Sequence, residues 1–98
     1  MPDHIRHVVA FSAKDAKDIP AIKEGLGVLG KIPGVLHFSV SDNLKLDQGS
    51  ADMDVVLYAE FASTEALEAF KQHEIYAQCI QVVRPLRDQR VVLDTPIK

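Results

Sequence analysis

The sequence predicts an α+β fold whose elements follow the order strand, helix, strand, strand, helix, strand. Three observations predict it. Four segments are rich in β-branched and aromatic residues, two segments repeat apolar residues at helical spacing, and polar, Gly or Pro stretches separate the segments. This βαββαβ order is typical of the ferredoxin-like arrangement, in which both helices cover one face of a four-stranded antiparallel sheet. The 98 residues fit a single domain, residues 1–98.

The composition excludes several classes of function. The 47% apolar content is that of a folded protein, and the formal charge of −3 with scattered Lys and Arg offers no basic surface to nucleic acid. No apolar run approaches the roughly 20 residues of a membrane span, and no apolar signal core begins the chain. We therefore expect a soluble, cytoplasmic protein. The lone Cys79 lies in a helical apolar pattern and is expected to be a buried free thiol.

The first strand and helix are predicted from residue 5 onwards. The strand spans residues 5–12 and leads into a charged loop over residues 14–18. Asp18 can cap the helix and Pro20 fits its first turn, where the missing N–H costs nothing. Gly30 helps to end the helix. The apolar stripe of the helix consists of Ile19, Ile22, Leu26 and Leu29.

The third strand, residues 53–61, is apolar on both faces. A strand with one wet face alternates apolar and polar residues, so both faces of this one are expected to be covered. The helices should take the face with Val55 and Leu57. The opposite face of the sheet predicts an interface with a second copy of the chain, so that two sheets form a barrel. The residues of this predicted dimer interface are Val8, Ala10, Val56 and Tyr58.

The second strand, residues 35–40, places Leu36, Phe38 and Val40 on one face. The polar connection over residues 41–52 suits a lid or an interface arm.

The second helical region begins after Ser63, a typical cap, and is interrupted near His73. An apolar stripe then continues to Val83, Pro85 ends it, and residues 89–94 form the last strand.

Three side chains are candidates for chemistry. His7 lies on the strand face assigned to the helices, where a histidine either lines a pocket or makes a structural hydrogen bond. His73 either points into the same cleft or occupies a helix terminus, and Tyr76 lies one turn further on. Together they predict a polar cluster at a pocket between sheet and helices. The apolar residues of this predicted pocket are Val9, Phe11, Leu57 and Phe70.

No cofactor or metal is expected. The histidines have no metal-ligand spacing, there is no cysteine pair, and no Gly-rich loop follows a strand. Arg84, Arg87 and Arg90 cluster near the C-terminus. Two interpretations stay open for them: ion pairs across a dimer, or an anionic ligand.

Several segments in order resemble the stress-responsive A/B barrel domain, Dabb, over about residues 5–94. They are Ile5–Phe11, Lys31–Val35, Glu60–Phe61, Ala66–His73 and Arg90–Asp94. The resemblance implies a homodimeric α/β barrel. Most members have no assigned activity, and some plant members are polyketide cyclases that act by an aldol step.

The residues of those cyclases are matched only in part. His7 matches their strand-one histidine, and His73 matches the first histidine of their helix motif. Tyr76 stands where the second histidine, the proposed general base, would be, and Phe70 replaces its tyrosine partner. A tyrosine is a weaker general base than a histidine near neutral pH, so the resemblance implies the fold and a pocket more strongly than the cyclase mechanism.

Three hypotheses for function follow. The first is a homodimeric barrel, without an assigned biochemical role, that binds a small, mostly apolar molecule between sheet and helices. The second is a cyclase, isomerase or lyase with His7 and His73 as acid and base and Tyr76 as a hydrogen-bond donor. The third is a purely structural, stress-related dimer. A cavity that reaches the two histidines favours the first two, and a filled core favours the third.

Overall fold

A computed structural model describes residues 4–97 and shows one antiparallel sheet with the helices on one of its faces. The strands lie in the order β2-β3-β1-β4, which is the ferredoxin-like arrangement predicted from the sequence. None of the described helices is long and apolar enough to cross a membrane. The main elements are β1 (His4–Ala13), α1 (Ile19–Gly27), β2 (Val35–Asp42), β3 (Val55–Phe61), α2 (Thr64–Gln72), α3 (Glu74–Val83) and β4 (Arg87–Ile97).

The burial along β3 confirms the predicted division of its two faces. Val55 and Leu57 are 0% and 2% exposed under the helices, whereas Val56 and Tyr58 on the other face are half-buried. The register places Val9 of β1 between Leu57 and Val92, so the central strands contribute to one core. The helices, together with the 3-10 turn Val28–Lys31 that follows α1, complete this core with Ile22, Leu26, Leu29, Leu67, Phe70, Cys79 and Val83.

Two helix starts differ in how they are capped. Ser63 caps α2 as predicted, since its Oγ accepts a hydrogen bond from Ala66 N–H at 3.1 Å. The predicted cap by Asp18 is wrong: its side chain makes no capping hydrogen bond, because Asp18 already has helical backbone angles. It ends a short 3-10 turn, Ala16–Asp18, that occupies the predicted loop and is itself capped by Asp15.

The predicted face of Leu36 is also wrong. The pairing of β2 with β3 shifts between Val35 and His37, which places one additional residue in β2. Such a bulge interrupts the alternation of side chains. Leu36 is therefore 49% exposed, while Phe38 and Val40 pack against the core as expected.

The connection between β2 and β3 is tied to the sheet by polar contacts. Asp54 accepts hydrogen bonds from Ala13 N–H at 2.9 Å and from Lys45 Nζ at 2.7 Å. Burial raises the pKa of this carboxyl, but the hydrogen bonds from Lys45 and Ala13 and the charge of Lys45 outweigh it, so the pKa lies below its ordinary value. Leu44 and Leu46 extend outward from this connection and are 76% and 88% exposed.

The sheet face opposite the helices is a broad, partly apolar surface, which we call the open face. Besides the four predicted residues, Val8, Ala10, Val56 and Tyr58, it includes Val91 and Leu93 of β4, which are 48% and 60% exposed. The sequence contained a signal for these two, since the run from Val91 to Leu93 is apolar on both faces, as β3 is.

Candidate functional site

A cavity of about 170 Å³ lies between the helix-covered face of the sheet and the helices. An engineered apolar cavity of about 150 Å³ holds a benzene molecule, so this one suits a ring-sized group. Gly25 allows α1 and α3 to pack closely beside it, because a Cβ there would lie 3.0 Å from Val83 Cγ2. The cavity is lined by His7, Val9, Phe11, Leu26, Leu29, Leu57, Phe70, Tyr76, Cys79, Ile80, Val83, Arg84, Arg87 and Arg90. These include every apolar residue of the predicted pocket.

His7 is the buried polar group of this cavity and is 2% exposed. It lies directly opposite Asp94 in the β1–β4 pair, and its Nδ1 is 2.5 Å from Asp94 Oδ1. An ionised carboxylate only accepts hydrogen bonds, so Nδ1 is the donor in this contact and Nε2 takes no part in it. No second hydrogen bond to the ring is formed among residues 4–97. A histidine oriented by a carboxylate in this way can act as a general base.

Aromatic rings fix the position of His7 from the other side. Its ring packs edge-on against Phe61 at 6.2 Å and Phe70 at 6.4 Å between centroids. Phe70 in turn packs against Tyr76 at 5.4 Å. His7 and Tyr76 are therefore brought to the same cavity as predicted, separated by an apolar ring.

His73 is not among the residues that line the cavity. Its backbone is extended between α2 and α3, and its Nδ1 accepts a hydrogen bond from Ile75 N–H at 3.0 Å. The ring thus caps the start of α3, and the three-residue cluster predicted from the sequence is not formed. The break between the helices was predicted from the sequence, and of the two alternatives for His73 the structure shows the helix terminus.

Arg84, Arg87 and Arg90 border the cavity where it meets solvent. Arg84 follows α3, whereas Arg87 and Arg90 lie on β4, where residues three apart normally face opposite sides. Here the β1–β4 pairing shifts: Phe11 lies opposite Arg90, and Ala13 opposite Arg87. Between these two pairs β1 advances by two residues and β4 by three, so β4 contains one extra residue.

Within this irregular stretch Ser12 Oγ accepts a hydrogen bond from Gln89 N–H at 2.9 Å. The extra residue of β4 brings Arg87 and Arg90 to the same side. No carboxylate within residues 4–97 forms a salt bridge with the three arginines. Arg90 Nη2 donates a long hydrogen bond of 3.5 Å to Tyr76 Oη.

Cys79 forms part of the cavity wall and is 5% exposed, which confirms the predicted buried free thiol. Burial raises the pKa of its thiol to about 11. Within residues 4–97, no group of three or more His, Cys, Asp or Glu side chains is placed to hold a metal ion.

Comparisons with known proteins agree on the fold. The family model of the stress-responsive A/B barrel domain matches residues 5–97. A Dabb family protein from Mesorhizobium loti is 23% identical, with a TM-score of 0.79 over 95% of each chain. No curated protein matches the chain.

Two further solved structures have TM-scores of 0.80 and are each 19% identical to this chain. One is a hydroxynitrile lyase from Passiflora edulis, with 100% of this chain and 96% of that chain covered. The other is a dimeric ferredoxin-like protein of unknown function from Thermobifida fusca, with 99% and 93% covered. At such identities the likeness shows the shared fold.

Proposed function

This chain belongs to the stress-responsive A/B barrel domain family, and from that premise we propose that it is a homodimeric, single-domain α/β barrel protein that binds a small, mostly apolar molecule. The observation that carries the proposal is the cavity of about 170 Å³ beside His7. A protein whose role is only structural gains nothing from such a space, because unfilled volume in a core lowers stability.

The homodimer is supported by the open face of the sheet. Val91 and Leu93 are about half exposed there, next to Ala10 and Val8 of β1. Monomeric soluble proteins rarely leave contiguous apolar surface of this kind uncovered. The Thermobifida fusca structure with the same fold is described as dimeric. A second copy packed face to face would cover both open faces while leaving the two cavities on the outer, helical sides.

Binding is tested with phenylacetamide, a neutral probe whose ring matches the cavity. We expect saturable binding that shifts the NMR signals of the His7 and Phe70 rings and raises the melting temperature. Ile80→Trp fills the cavity from its wall and should abolish binding. Gln78→Trp, on the exposed side of the same helix, is the matched control and should bind normally. Binding that survives Ile80→Trp would place the ligand elsewhere, and the absence of any binding would favour the structural hypothesis.

A second candidate function, a lyase or cyclase, is favoured by the His7–Asp94 pair. Asp94 holds Nδ1, so Nε2 is the nitrogen available to take a proton from a bound hydroxyl or from carbon next to a carbonyl. Cleavage of a cyanohydrin illustrates the step: Nε2 removes the hydroxyl proton, the bond between carbon and cyanide breaks as the carbonyl forms, and the cyanide takes up the proton. Tyr76 would donate a hydrogen bond to the carbonyl oxygen.

The enzyme hypothesis is tested by following benzaldehyde release from mandelonitrile. His7→Gln should lower the rate about 100-fold or more, in the range expected for general acid–base catalysis. His73→Asn should leave it unchanged, because asparagine also caps helices and His73 lies outside the cavity lining. Equal losses in both variants would contradict a base located at His7, and no rate above the buffer reaction would contradict this lyase activity.

A further inference from the structure

The charged residues that line the cavity are all basic. Three of its lining residues are arginines, and none is an aspartate or glutamate. The whole chain carries a formal charge of −3, so this positive border opposes the overall balance. Asp94, which contacts His7 Nδ1, is not part of the lining.

The fold brings the three arginines together from two different secondary-structure elements. Arg84 follows the last turn of α3, and the irregular β1–β4 pairing brings Arg87 and Arg90 to one side of β4. Like charges gathered at one opening repel one another, which works against the compact state. An anion bound between them relieves this repulsion and gains charge-assisted hydrogen bonds.

We propose that the ligand of this cavity is an amphipathic carboxylic acid, with a ring-sized apolar body inside and its carboxylate held by Arg84, Arg87 and Arg90. This inference rests on the proposed binding function and names its ligand class. The guanidinium group matches a carboxylate with two parallel N–H donors. The apolar wall below accepts the body of the ligand, with Leu26, Leu57 and Ile80 among its members.

This orientation fixes which end of the ligand meets His7. Arg84 and Arg90 are exposed, whereas His7 is 2% exposed, so the carboxylate stays near solvent and the apolar end goes inward. His7 then contacts the body of the ligand and not its charged group. The arginines would act in binding and orientation, separate from any proton transfer at Nε2.

The test compares phenylacetate with phenylacetamide, which have nearly the same shape and differ in charge. By isothermal titration calorimetry with the full chain at pH 7, phenylacetate should bind at least about tenfold more tightly. Arg84→Gln and Arg90→Gln, at exposed positions, should each weaken phenylacetate binding several-fold to tenfold and leave phenylacetamide unchanged. Lys17→Gln removes a 77% exposed cation outside the cavity lining and should change neither affinity.

The outcomes separate this inference from the proposed function. Equal affinities for the two probes, insensitive to the arginines, would overturn the carboxylate and leave apolar binding standing. Binding of neither probe would overturn both. Inorganic phosphate that binds as tightly as phenylacetate would overturn the choice of carboxylate. Arginine variants that lose the dimer by size-exclusion chromatography but keep their affinity would assign these residues to ion pairs between copies and overturn the proposal.

Discussion

Leu57→Asp is expected to unfold the domain, whereas Val56→Asp at the neighbouring position is expected to give a folded monomer. Leu57 is 2% exposed beneath the helices and belongs to the apolar core, where a carboxylate would lose its hydration. Burying an unpaired carboxylate costs several kcal/mol or more, on top of about 2–5 kcal/mol for the lost leucine packing. This approaches or exceeds the roughly 5–15 kcal/mol by which a domain is stable.

The same charge at Val56 meets a different environment. Val56 is half-buried on the open face, so in a single copy its carboxylate can remain hydrated. In a dimer that packs these faces together, the charges of both copies would be buried in the interface. We therefore expect dissociation without unfolding.

Circular dichroism and sedimentation velocity distinguish the two results. Leu57→Asp should lose the cooperative melting transition. Val56→Asp should keep its secondary structure and sediment as a monomer. Val56→Ala is the control and should remain a dimer with only a small change in stability. If both aspartate variants stayed folded and dimeric, the assignment of the two faces of β3 would be wrong.

Phe70→Ala is expected to have the second largest effect, a loss of about 3–5 kcal/mol of unfolding free energy. Phe70 is 1% exposed and packs edge-on against Phe61 at 4.9 Å and Tyr76 at 5.4 Å. It also lines the cavity, so its removal enlarges a space that already exists. The surrounding side chains can then collapse only in part, which keeps the cost high.

Urea denaturation measures this loss, and benzene provides a specific check. A ligand that binds only the folded state raises stability, so saturating benzene should restore part of the loss in Phe70→Ala. Phe70→Leu, which retains most of the apolar volume, should lose less and respond less to benzene. A loss below about 1 kcal/mol in Phe70→Ala would show that the aromatic cluster is not central to the core.

The sequence predicted those parts of the fold that depend on periodicity. The faces of Val55 and Leu57 against Val56 and Tyr58 follow from the two-residue repeat of a strand, and the alternating burial along β3 agrees with them. The failures occur where the repeat is broken. Leu36 was assigned to the wrong face because the bulge beside it has no composition signal.

The sequence predicted where the candidate site lies but not which residue His7 contacts there. Phe70 was predicted to line the pocket, and His7 either to line it or to make a structural hydrogen bond; the structure shows both for His7. Asp94 lies 87 residues from His7, and only the β1–β4 register brings the two together. The sequence showed that Arg84, Arg87 and Arg90 lie close together along the chain. Their meeting at the border of the cavity depends on an extra residue in β4. The role of His73 depended on a single extended backbone position between two helices.

Cys79 allows access to the cavity to be followed by chemical labelling. It is the single sulfhydryl of the chain, it lies in the cavity wall, and its pKa of about 11 keeps it protonated near neutral pH. A thiol reagent reacts with the thiolate, so modification requires both entry into the cavity and loss of the proton. The rate of labelling therefore depends on access to the cavity, and a bound ligand should slow it. Slower labelling of Cys79 in the presence of a ligand would thus report occupancy of the cavity in the unmodified protein.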